Sequence, residues 1–183
     1  MSETLYRTFA PDIEIRSGGD GRTLAGIAVP FNQPVRIDER LVEQFAHGAF
    51  RHQESAAHRV KLAREHIRLG GTLIGRLTLM RNDAKGQYIE ARVAETPMGD
   101  ETLALVRDGA LSEWSIGFRE RQNRRLAGGV IERVTADLRE VALTLEGAYG
   151  EAAAVAAVRS ADDRPNLEQA RQILAGLPTL PPL

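Results

Sequence analysis

Apolar residues recur at every second position in four stretches of this chain, and that period decides most of what it can fold into. From Thr72 to Met80, Leu73, Gly75, Leu77 and Leu79 fall on one face and Thr72, Arg76 and Thr78 on the other. From Gln87 to Glu95, Ile89, Ala91 and Val93 alternate with Glu90 and Arg92. Residues 112–119 set Trp114, Ile116 and Phe118 against Glu113, Ser115, Gly117 and Arg119. Residues 137–145 end in Val141, Leu143 and Leu145. A period of two belongs to a strand with one buried face, because successive side chains point to opposite sides of the sheet. Asn82-Asp83-Ala84-Lys85-Gly86 joins the first two stretches with turn residues, which predicts a β-hairpin. Leu126-Ala127-Gly128-Gly129 marks another turn.

The remaining segments fit the same picture. Residues 22–31 read as a strand stopped by Pro30, with a loop over residues 30–34 because two prolines cannot hold a ladder. Residues 41–50 close on a Gly-Ala-Phe turn, and the polar run 51–59 forms a loop or a short helix. Residues 100–108 carry Leu103, Leu105 and Val106, an acidic start and Gly109 just past the end, which predicts one short helix. The expected class is β-rich α+β, a barrel or sandwich with a few helices.

At 183 residues the chain is long enough for one domain with a buried core, and a domain boundary is expected near residue 160. Beyond it, Asn166 to Ala175 has the spacing of one amphipathic helix, while Leu177 to Leu183 holds three prolines and cannot be a regular core element. Residues 1–160 are thus read as the working domain and 161–183 as a mobile tail. The absence of cysteine excludes disulfides, thiolate nucleophiles and Cys-ligated zinc. With 24 basic and 25 acidic residues, nothing in the charge supports nucleic-acid or polybasic membrane binding. Met1 to Thr4 lacks the basic and apolar regions of a secretory signal, and no apolar run reaches membrane-span length, so an intracellular soluble protein is expected.

Chemistry has few carriers. Ser115 shares its face with Gly117, away from Trp114, Ile116 and Phe118, which suits a nucleophile but equally an ordinary strand serine. A serine nucleophile needs a base. His47, His52 and His58 lie in a polar stretch and match no metal-ligand spacing, and no HExxH is present, so neither metal nor cofactor is expected. His66 follows Val60-Lys61-Leu62 and precedes Gly70-Gly71, a strand end where a side chain can be held firmly. Glu140 alternates with Val141 and Leu143 and so projects off the core face, as Ser115 does. By strict alternation Asp137 and Glu140 fall on opposite faces, which counts against a hydrolase built on that carboxylate pair. Arg119, Arg121, Arg124 and Arg125 form a basic cluster, read either as a solvated hairpin or as donors near a reacting carbonyl.

Taken in order, these residues resemble a known family. The pattern is Glu43-x-Phe45-x-x-Gly48-Ala49-Phe50, His66 before a turn, Ile74-Gly75, Thr96-Pro97-x-Gly99, Leu111-x-x-x-Ser115-Ile116-Gly117-Phe118 and Asp137-Leu138-x-Glu140-Val141. It resembles the prohead maturation proteases of tailed phages, relatives of the herpesvirus assembly protease, from about Arg22 to Arg159. The resemblance implies a β-barrel with surrounding helices and a serine endopeptidase. It implies action on the major capsid protein, on scaffold sequences and on itself, inside an immature capsid in the cytoplasm of a host. The encoding element would be a phage, a prophage or a phage-derived particle. The family's serine falls on Ser115, its histidine on His66 and its acid on Glu140, with Asp137 as the alternative acid. Three segments depart from the family: Glu65-His66-Ile67 where Asn-His-Asp is usual, Ala142 where Ser follows Glu-Val, and Gly147-Ala148 in place of a Pro-Ala pair. A competing expectation is a non-catalytic capsid or scaffold component with an inert Ser115. No partner beyond these substrates is implied, apart from a second copy in a homo-oligomer. The tail beyond about residue 159 is expected to be removable by self-cleavage.

Overall fold

Ten strands form one sheet in the computed structural model, which describes residues 3–9, 13–15 and 20–145. The strands are β1 (Leu5–Phe9), β2 (Glu14–Ile15), β3 (Thr23–Pro30), β4 (Val35–Arg36), β5 (Val42–Phe45), β6 (Lys61–Arg64), β7 (Thr72–Asn82), β8 (Gly86–Val93), β9 (Glu113–Arg125) and β10 (Ile131–Thr144). Across the sheet they run β1-β9-β10-β6-β7-β8-β3-β2. The long β10 has a second parallel partner, β5, at its N-terminal end, and β4 pairs with β5. The sheet curls so that β3 approaches β1 and β9, giving a half-barrel. The α-helix α1 (Pro97–Asp108) crosses between β8 and β9, and short 3₁₀ segments lie at Arg51–Arg59, Ile67–Leu69 and Ala127–Gly129.

The predicted hairpin is β7–β8, closed by the Asp83 amide donating to the Gly86 carbonyl at 2.9 Å. Ile89, Ala91 and Val93 face the core as the alternation requires. The helix begins earlier than predicted because Thr96 caps it, its hydroxyl accepting from the Gly99 amide at 3.1 Å, and Pro97 opens the first turn. Gly109 ends it in a left-handed conformation, as expected. Trp114, Ile116 and Phe118 of β9 and Leu138, Val141 and Leu143 of β10 are buried together in the core.

Two alternation readings need correction. In β7 the buried residues are Ile74, Leu77 and Met80, whereas Leu73 is 56% exposed. Ile74 and Thr78 are extra residues in the ladders to β6 and β8, and each bulge reverses the inward face. Leu145 is 68% exposed because it lies one residue past the end of β10. Strands β1, β2, β4 and β5 were not anticipated. The proposed boundary near 160, the helix over Asn166–Ala175 and the tail 161–183 lie outside the described residues.

Candidate active site

Three neighbouring strands, β9, β10 and β6, carry the site. β9 holds Ser115 beside Ala142 of β10, and Gly117 beside Glu140. On the far side of β10, β6 runs parallel, pairing Lys61 with Glu140 and Arg64 with Leu143. The chain leaving β6 turns at Glu65 in the left-handed region (φ 56°) and delivers His66 back toward β10. That region is one a non-glycine residue such as glutamate seldom enters. The turn is pinned: the Glu65 amide donates to the Leu143 carbonyl at 2.9 Å, and the His66 carbonyl accepts from Leu69 at 2.8 Å and Gly71 at 2.9 Å. Gly71 lies so close to this backbone that a Cβ there would stand 2.2 Å from the Glu65 carbonyl oxygen.

These elements bring Ser115, His66 and Glu140 into one line. His66 Nε2 is 2.6 Å from Ser115 Oγ, and His66 Nδ1 is 2.7 Å from Glu140 Oε1. Ser115 is 1% exposed, His66 5% and Glu140 7%. The carboxylate accepts the Nδ1–H, which leaves Nε2 as an acceptor facing the hydroxyl; this is the tautomer that general-base chemistry on a serine requires. Gly117 makes room for the acid, because a Cβ there would meet Glu140 Cγ at 2.8 Å and Tyr6 Cε1 at 3.0 Å. Its role is therefore to admit the Glu140 stem and the Tyr6 ring, not to open approach to the hydroxyl.

Asp137 is held elsewhere. A bulge at Arg139 puts it on the same face as Glu140, contrary to strict alternation, but it pairs with Arg119 two ladder positions away. Its carboxylate accepts from Arg121 at 2.6 Å and His52 at 2.9 Å. Burial alone would raise the Asp137 pKa, but the hydrogen bonds and charges of Arg121 and His52 outweigh it and hold the carboxyl below its ordinary range. Arg124 pairs with Glu132, so the basic cluster reads as a solvated hairpin laced by cross-strand ion pairs. His47, His52 and His58 are exposed, as the sequence suggests.

Strand β1 supplies contacts that the sequence reading missed. It pairs antiparallel with β9, setting Thr8 opposite Ser115 and Tyr6 opposite Gly117. Thr8 Oγ1 is 2.8 Å from Ser115 Oγ, and the Arg7 carbonyl is 3.2 Å from it. The Tyr6 ring lies 4.2 Å from the His66 ring, centroid to centroid. The Tyr6 hydroxyl is buried without a hydrogen-bond partner; burial and then the Glu140 charge raise its pKa, against a lowering from Arg68. Arg7 reaches inward to the buried Glu43, which also accepts from Arg133 at 2.7 Å and 2.9 Å. The available signal was the run Leu5-Tyr6-Arg7-Thr8-Phe9, rich in aromatic and β-branched residues.

Comparison with known proteins follows the same lines. The family described as caudovirus prohead serine protease matches residues 11–166. No curated protein matches the chain. Among solved structures, the bacteriophage T4 capsid assembly protease, gp21, is similar at a TM-score of 0.50 and 12% identity, covering 78% of this chain and 97% of that one. At that identity the likeness bears on the fold alone, and it agrees with the strand-rich half-barrel.

Proposed function

The chain belongs to the caudovirus prohead serine protease family, and on that premise we propose that Ser115, His66 and Glu140 are its catalytic triad. The chain is a serine protease of the capsid-maturation class. The observation that carries the site assignment is the unbroken line from Glu140 Oε1 through the imidazole to Ser115 Oγ, with separations of 2.7 Å and 2.6 Å. In this mechanism His66 Nε2 takes the Ser115 proton as Oγ attacks a peptide carbonyl. Glu140 holds the tautomer and stabilises the imidazolium. His66 then gives the proton to the leaving amine, and water resolves the acyl-enzyme by the same route in reverse.

The proposed substrates are the major capsid protein and scaffold sequences within the immature capsid, together with the chain itself, including removal of the tail beyond about residue 159. Self-cleavage there would separate the protease domain from a segment used in assembly. Co-expression with the major capsid protein of the same phage or prophage and intact-mass measurement of both tests this reading. The expected result is a shortened capsid protein and a shortened protease with the wild-type chain, and full-length masses for both with Ser115→Ala. Equal processing by Ser115→Ala would refute the serine assignment. A full-length protease beside cut capsid protein would refute only the self-cleavage.

A further inference from the structure

The hydroxyl proposed as nucleophile is closed off by the chain's own N-terminal strand. Three polar groups crowd Ser115 Oγ: His66 Nε2 at 2.6 Å, which accepts its single proton, Thr8 Oγ1 at 2.8 Å, which donates to it, and the Arg7 carbonyl at 3.2 Å, an alternative acceptor for that same proton. Attack needs a carbonyl carbon about 3–3.5 Å from the oxygen along a free lone-pair direction. Two of these neighbours, Thr8 Oγ1 and the Arg7 carbonyl, belong to β1 and stand where a substrate carbonyl would approach, and Tyr6 of the same strand packs against the imidazole. The burial of Ser115 follows from this cover.

Strand β1 is also built to separate. It lies at the end of the strand order, and among the described residues its only ladder is the one to β9. Lifting it would leave β9 paired with β10 along most of its length. It would also leave Glu43 bound to Arg133, so no buried carboxylate would lose its last partner. The freed edge of β9, from Trp114 to Phe118, would present unpaired backbone groups beside Ser115, a surface that accepts an extended peptide.

We propose that β1 is a self-blocking strand: it occupies the place of an extended polypeptide on the β9 edge, and cleavage requires it to lift first. The inference rests on Ser115 being the nucleophile. Activity then carries the fraction of chains with β1 lifted as a factor, which any partner that captures β1 would raise.

The chain has no cysteine, so a reversible lock can be introduced cleanly. Thr4 and Arg119 continue the β1–β9 register one step beyond Leu5 and Phe118, and Arg119 Nε already donates to Thr4 Oγ1 at 3.4 Å. Directly opposed strand residues have Cα separations of about 4.5–5.5 Å, within disulfide reach. The Thr4→Cys/Arg119→Cys full-length chain is assayed oxidised and reduced, by peptide cleavage and by the rate at which a fluorophosphonate probe labels Ser115. We expect both rates to be about tenfold or more lower when oxidised and to recover on reduction. Equal rates in the two states, with the disulfide verified by mass, overturn the inference while leaving the nucleophile intact. Absence of any Ser115 adduct in both states and in the wild type overturns the nucleophile assignment, and the inference with it. Arg7→Ala provides an independent arm that does not depend on closing a disulfide. Loosening the Glu43 anchor should speed labelling several-fold, and an unchanged or slower rate in a folded variant counts against a blocking strand.

Discussion

Gly117→Ala places one methyl where the account says the site has no room. The new Cβ would stand 2.8 Å from Glu140 Cγ and 3.0 Å and 3.3 Å from two Tyr6 ring carbons. Carbon atoms settle at about 3.5–4.0 Å, so the Glu140 stem must retreat by roughly 0.8 Å, or Tyr6 must carry β1 away. Glu140 Oε1 orients the imidazole at 2.7 Å, while the Tyr6 ring only packs against it, at a centroid separation of 4.2 Å. A retreat of that size stretches the carboxylate–imidazole bond toward about 3.5 Å, the edge of hydrogen bonding. Misplacement on the 1 Å scale costs up to about 100-fold in rate. Overpacking costs about 1–3 kcal/mol of stability. The assay is steady-state peptide cleavage beside thermal unfolding. The expected pattern is a kcat lower by about 10- to 100-fold with KM little changed, together with a lower Tm. A variant that keeps full kcat while a fluorophosphonate labels Ser115 no faster than in the wild type, so that β1 has not moved away, would refute the claim that Glu140 acts from this position.

Other outcomes follow from the same geometry. Glu140→Gln should cut activity severely, whereas Asp137→Asn should leave it near wild type because that carboxylate serves His52 and Arg121; parallel kinetics on the two variants decide between the acids. Asp137 has a lowered pKa in the fold, so its contribution to stability is present above the unfolded carboxyl pKa of about 3.9 and is lost as pH falls through the folded value. The Tm gap between wild type and Asp137→Asn should therefore be open at neutral pH and close on acidification, as melting curves across that range will test. Gly71→Ala would drive a methyl against rigid backbone at 2.2–2.6 Å, so it should destabilise the fold by about 1–3 kcal/mol or more and lower activity through the displaced His66 turn, read by unfolding and kinetics together.

Much of this was legible because alternation survives wherever a ladder is regular. Trp114, Ile116 and Phe118 announce β9, and their parity places Ser115 on the face it occupies. Bulges were not legible: an extra residue at Ile74, Thr78 or Arg139 has no compositional mark, yet each reverses the pattern beyond it. The one at Arg139 is why Asp137 and Glu140 share a face, and only their neighbours tell them apart. The burial of Ser115 was equally hidden, since it comes from a strand more than 100 positions away in sequence. A five-residue strand whose polar residues, Arg7 and Thr8, are adjacent carries too little pattern to reveal what it will cover.

The central claim is that Ser115 is made nucleophilic by His66. Its most direct test is the site and rate of fluorophosphonate labelling, located by peptide mass mapping, in the wild-type and His66→Ala chains. A single adduct on Ser115 is expected in the wild type, and its loss in a folded His66→Ala variant. An adduct on another serine, such as Ser55 or Ser112, or undiminished labelling of Ser115 without the imidazole, would contradict it.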